Sequence, residues 1–171
     1  MTIYIKNEID LKRGYKTMDW KEDVKEMVYQ GRIKVPYTWT VGEVGSRFFI
    51  ELRDKKKIWG DKCPRCGTVF VPPRKVCSKC YSNIGEWVEV GTKGTLLTFT
   101  VVRYKNNLQS RDAPFAYGII KLDGADTGLL HLLGEVDLEQ INIGMRVEAV
   151  FGEDRKGEIL DIKYFRPLKE A

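Results

Sequence analysis

The chain has 171 residues, with 29 Lys+Arg against 24 Asp+Glu, one His and four Cys, and a formal charge of +5. At 43% apolar and 31% charged it has the composition of one or two small globular domains, which excludes a large multidomain enzyme and a disordered or collagen-like polymer. Apolar stretches such as Thr95 to Val102 and Phe115 to Ile120 are far shorter than the ~20 residues of a membrane helix, and the polar Met1 to Leu11 has no signal-peptide core, so the expected location is the cytoplasm.

In chain order, Met1 to Met18 carries no clear period and reads as an extended arm. Asp19 to Gln30 predicts a helix: Trp20, Val24, Met27 and Val28 recur on one face, Asp19 and Glu22 form a capping-box pattern, and Gly31 follows as a stop. Between Val41 and Ile58, Val44, Phe48 and Leu52 fit a second helix, although Phe48, Ile50 and Leu52 also fit a strand; the helix is preferred.

All four cysteines then fall in one window, Cys63-Pro64-Arg65-Cys66 and Cys77-Ser78-Lys79-Cys80. Two residues between cysteines let a tight turn aim both sulfurs at one point, and two such knuckles on a hairpin complete the tetrahedral thiolate cage that zinc prefers. Gly67 stands where the turn needs a positive φ, and Lys62, Arg65 and Lys79 offset part of the charge of a metal tetrathiolate. Iron at the same sulfurs is the rival metal; two disulfides or four reduced thiols are the alternatives without one, and a reducing cytoplasm disfavours the disulfides. Four protein ligands close the shell, so a zinc here is structural and not a Lewis acid.

From Glu86 onward the pattern changes to strands: Glu86 to Val90, Thr95 to Tyr104, Phe115 to Leu122, Thr127 to Leu133, Met145 to Phe151 and Glu158 to Phe165, punctuated by glycines. Alternation places Met145, Val147, Ala149 and Phe151 opposite Arg146 and Glu148, and Leu160, Ile162 and Tyr164 opposite Asp161 and Lys163. Five or six short strands with a non-strand insert at Val136 to Ile143 match a small closed barrel of the OB type; no internal repeat is evident.

Charge is unevenly spread. Residues 53 to 80 hold nine Lys+Arg and two Asp+Glu, whereas residues 81 to 171 hold eleven and fourteen, so the ribbon is basic and the barrel acidic. A barrel that binds single-stranded nucleic acid, the alternative function, should track phosphates along its own basic groove, and this one would repel them. Once the cysteines are assigned to metal no nucleophile remains. The single histidine, His131, lies within the apolar run Leu129 to Leu133, which is the setting of a core or rim residue, and no phosphate loop, nucleophile elbow or dinucleotide fingerprint occurs. The expected catalytic set of this chain is therefore none.

The order of features is itself informative: a helix ending near Phe48 to Leu52, Cys63-Pro64-Arg65-Cys66-Gly67, Pro72-Pro73-Arg74, Cys77-Ser78-Lys79-Cys80, Gly94-Thr95, Ala113-Pro114-Phe115 and Gly144-Met145-Arg146-Val147. Over about residues 41 to 168 it resembles the acyl-CoA-associated family that joins a rubredoxin-like zinc ribbon to an OB fold. The resemblance implies a mainly β chain with N-terminal helices, divided into an arm with helices (1–58), a zinc ribbon (59–84) and an OB-fold barrel (85–171). It further implies a non-catalytic partner of a thiolase-like or hydroxymethylglutaryl-CoA synthase-like subunit, supporting assembly and the binding or channelling of acyl-CoA. The long N-terminal extension is similar to small subunits of dedicated thiolases of the benzoylsuccinyl-CoA type.

The expected metal ligands are Cys63, Cys66, Cys77 and Cys80. For CoA, Arg74 is the leading anion contact, because two prolines hold its backbone and a guanidinium binds phosphate bidentately; Lys75 and Arg65 are further candidates, with Phe70 and Phe115 beside the pantetheine arm.

Overall fold

The structure, a computed structural model, describes residues 36–105 and 111–168. The arm and the helix expected over Asp19 to Gln30 lie outside the described residues.

The helix preferred between Val41 and Ile58 is present as α1, Gly42–Lys55, and its periodicity buries Phe48 and Leu52. No side chain caps it at Val41; the Thr40 hydroxyl accepts the Gly42 N–H instead, at 3.1 Å. At its other end Lys56 adopts the left-handed conformation, its N–H donates to the Leu52 carbonyl at 3.2 Å and the Lys57 N–H to the Glu51 carbonyl at 3.4 Å.

Two β-systems follow. Strands β1 (Ile58–Lys62), β2 (Val69–Phe70) and β3 (Glu86–Val90) form an antiparallel sheet in the order β2-β1-β3. Strands β4 (Lys93–Val102), β5 (Phe115–Leu122), β6 (Gly128–Leu133), β7 (Arg146–Phe151) and β8 (Ile162–Pro167) close a barrel in the order β4-β5-β6-β8-β7. That order, with β6 and β8 parallel and all other neighbours antiparallel, is the five-stranded Greek-key closure of an OB fold. Residues 136–143 contain no strand, as expected of the insert.

Two strand readings need correction. Glu86–Val90, counted with the barrel series by its sequence pattern, pairs along its whole length with β1, Ile58 opposite Val90 through Lys62 opposite Glu86. The alternation read through Leu160 to Tyr164 is also broken, because Ile159–Asp161 is a 3-10 turn that leaves Leu160 exposed and buries Asp161. The reason is local. Asp161 accepts the backbone N–H groups of Lys156 and Gly157, both at 2.8 Å, and of Glu158 at 3.3 Å, so an acidic side chain is satisfied inside and an aliphatic one is turned out.

The core is one apolar cluster: Leu96, Ile120, Leu122, Val147, Ile162 and Phe165 of the barrel together with Phe48 and Leu52 of α1 and Ile58, Val71 and Val90 of the sheet segment. A separate small cluster holds Cys63, Cys77, Phe70 and Ile84. Polar ties fix the ribbon to the barrel. Asp126 accepts the Val69 N–H and donates its own N–H to the Val69 carbonyl, both at 2.9 Å. The Thr127 hydroxyl accepts from Val71 N at 2.8 Å and donates to Val71 O at 3.0 Å. On α1, Arg155 donates to the Arg53 carbonyl at 2.6 Å, placing a cation at the negative end of the helix. No helix among the described residues is long and apolar enough to cross a membrane.

Candidate metal centre

The two knuckles are built alike. In the first, Cys63 N–H bonds to Thr68 O and Gly67 N–H to Cys63 O, both at 2.9 Å; in the second, Cys77 N–H bonds to Ser82 O at 2.9 Å and Tyr81 N–H to Cys77 O at 3.0 Å. Gly67 has φ +72°, and Tyr81 takes the equivalent position at φ +57°. Cys-Pro-Arg-Cys-Gly-Thr and Cys-Ser-Lys-Cys-Tyr-Ser thus form a matching pair of six-residue knuckles. Its spacing also contains the signal for two site residues that sequence reasoning missed, Thr68 and Ser82, the hydroxyl two positions after each second cysteine.

These turns bring all four Sγ atoms within 4.8 Å of one another. Cys63 and Cys80 Sγ are 3.4 Å apart and Cys66 and Cys77 Sγ are 3.6 Å apart. Zinc–sulfur bonds of about 2.3 Å in a tetrahedron put sulfurs about 3.8 Å apart, so the cage has the size for zinc.

Hydroxyls and amides tune the sulfurs. Ser82 Oγ lies 3.1 Å from Cys63 Sγ and 3.2 Å from Cys80 Sγ, and Thr68 Oγ1 lies 3.4 Å from Cys66 Sγ. The Ser82 hydroxyl is the main reason the Cys63 thiol is held down to about 5; the Thr68 hydroxyl likewise lowers Cys66. Burial pushes Cys77 up to about 11. A divalent cation held by Cys63, Cys66, Cys77 and Cys80 would offset that burial, since a coordinating thiol is deprotonated outright. Lys79 adds a backbone N–H to Cys77 Sγ at 3.4 Å and an ammonium on Thr68 Oγ1 at 3.2 Å.

The residues expected at a CoA site are only partly gathered. Arg74 is exposed and its guanidinium lies 5.2 Å from the centre of the Phe70 ring, while its N–H bonds to the buried Asp61 carboxylate at 2.7 Å. Lys75 is exposed and lines a hollow with Pro73 and the first turn of α1. Arg65 is exposed on the first knuckle. Phe70, 1% exposed, faces the sulfur cluster, whereas Phe115 lies at the start of β5 edge-on to Tyr117, in a different sheet.

His131 is buried. Its Nδ1 accepts the Leu132 N–H at 2.8 Å, which leaves Nε2, 3.2 Å from the Ile159 carbonyl, to donate there. Burial lowers its pKa, so the ring is a neutral structural element with both nitrogens engaged.

Comparison with known proteins follows this two-part construction. Residues 51–83 match the family model of the ChsH2 rubredoxin-like zinc ribbon domain, and residues 87–152 that of the ChsH2 C-terminal OB-fold domain. A DUF35 domain-containing scaffold protein of Pyrococcus furiosus is 31% identical over 127 residues, 72% of this chain and 92% of the relative. One of Methanocaldococcus jannaschii is 29% identical over 128 residues, 72% of this chain and 90% of the relative. The fold also matches a chain of the Ltp2-ChsH2(DUF35) aldolase with a TM-score of 0.56 at 20% identity, over 76% of this chain and 98% of that one.

Proposed function

The chain belongs to the DUF35 family of zinc-ribbon and OB-fold scaffold proteins, and from that premise we propose that it is a non-catalytic subunit of a thiolase-type acyltransferase complex, docking on the catalytic subunit and helping to bind or pass acyl-CoA. The observation that carries this reading is the sulfur cage. Four protein donors within 4.8 Å of one another would complete the shell of a zinc ion, which would then hold the ribbon together without polarising a substrate. His131, with both nitrogens bonded to backbone, has none left for proton transfer. Chemistry is thereby assigned to another polypeptide, and occurrence of the fold in the Ltp2-ChsH2(DUF35) aldolase is in keeping with that.

The ribbon's excess of positive charge is what favours a CoA ester as the molecule handled, since CoA presents a diphosphate and a further phosphate. Arg74 supplies the leading phosphate contact, its guanidinium steadied over Phe70 and its backbone tied to Asp61, with Lys75 next to it in the chain and Arg65 on the first knuckle as further cations.

The test is co-purification of the zinc-loaded full chain with a thiolase-like protein encoded beside it, together with retention on a CoA matrix that Arg74→Ala weakens. A chain that stays alone at micromolar concentration with that protein, or that turns over a thioester unaided, overturns the proposal.

A further inference from the structure

Strand alternation sends Tyr117 and Ile119 of β5 to the outside of the barrel, where Ile119 stands opposite Leu130 of β6. Leu97 of β4 joins them: a Cβ placed on Gly128 would come 2.4 Å from Ile119 Cγ2 and 3.7 Å from Leu97 Cδ1. The inversion at Asp161 adds Leu160 to the same side, where Tyr117, Leu130 and Leu160 line a hollow of about 280 Å3. Leu130 is 63% and Leu160 66% exposed. Past Ile159, which lines both, the surface continues into a second hollow of about 530 Å3 between Trp39, Phe49 and Ile50.

This is the face with which OB folds commonly bind their ligands. Here Tyr117 is the one aromatic ring beside the aliphatic Leu97, Ile119, Leu130 and Leu160, too few rings for a row of stacked bases, and a contiguous exposed apolar surface of this kind marks contact with protein. The charged side chains of the smaller hollow, Arg111 and Lys163, are both basic, and neither forms an ion pair among the described residues. A second copy of the chain docked about a twofold axis would set this face against itself, bringing like charges together. A different polypeptide with an apolar ridge bordered by Asp and Glu meets them with opposite charge.

We propose that the outer face of β4, β5 and β6 with Leu160 is the docking surface for the catalytic subunit, which contributes an apolar ridge flanked by carboxylates; this rests on the functional reading above. The experiment is a binding titration of the zinc-loaded full chain with the thiolase-like subunit. Leu130→Asp with Leu160→Asp weakens binding at least about 30-fold, as loss of central apolar anchors does, while far-UV circular dichroism and the melting temperature are unchanged. Arg111→Glu with Lys163→Glu slows association and flattens its dependence on salt.

If the wild-type chain binds and both double variants bind equally well, the docking assignment falls and the functional reading stands. If the wild-type chain does not bind, both fall. A homodimer in solution that Leu130→Asp splits overturns the choice of a different polypeptide as the occupant.

Discussion

Around the sulfurs the ribbon buries little beyond Cys63, Cys77, Phe70 and Ile84, whereas the barrel and the elements against it bury a continuous set of Leu, Ile, Val and Phe side chains. The tip of the ribbon has too little apolar surface to fold by burial alone, and metal–sulfur bonds take over that role. The barrel needs no such help. One chain thus uses two kinds of cohesion, joined through Asp126 and Thr127.

The sharpest way to break this contrast is to remove one ligand. Cys77→Ser, or a strong chelator acting on the wild-type chain, abolishes bound zinc and hydrogen-exchange protection over residues 63–82 while the barrel amides stay protected. A knuckle region that remains protected without metal would refute the contrast outright. A smaller effect comes from the joint. Thr127→Val keeps the shape but leaves Val71 N–H and C=O without their partner, for a loss of about 1–3 kcal/mol per unsatisfied group, read by denaturant titration. If ribbon and barrel are coupled there, their unfolding transitions separate in the variant.

The smallest effect belongs to the barrel alone. Because burial depresses the His131 pKa, the unfolded chain takes up the proton first as pH falls. Stability from the neutral ring is complete above about 6.5 and declines below that value toward the lower pKa of the folded state. In zinc-saturated samples His131→Gln removes this share of the pH dependence, and equal slopes for variant and wild type would discount it.

Much of this architecture was legible because its signals are periodic. The strand predicted over Phe115 to Leu122 has those same bounds, since its buried positions alternate strictly from Ala116 to Leu122. The four sulfurs follow from Cys-x-x-Cys spacing alone. What stayed hidden depends on hydrogen bonds between residues whose side chains do not advertise them. Asp161 is buried because three backbone amides converge on it, and no hydropathy pattern reveals that. Tyr81 occupies a left-handed position usually given to glycine, a role apparent only when the second knuckle is laid on the first. Likewise Glu86–Val90 has a strand pattern that fits either sheet, and register with β1 decides between them. For Arg74, Lys75 and Arg65, sequence gave the charge but not the surroundings.

Within the ring β4-β5-β6-β8-β7, β5 pairs with β4 from Phe115 to Leu122 and with β6 from Ala116 to Lys121, so the flank centred on it offers no unpaired edge onto which another backbone can add. Whatever settles on its flank is recognised by side-chain shape and charge rather than by main-chain pairing. A change of companion would therefore take only a few exterior exchanges while the interior stays as it is.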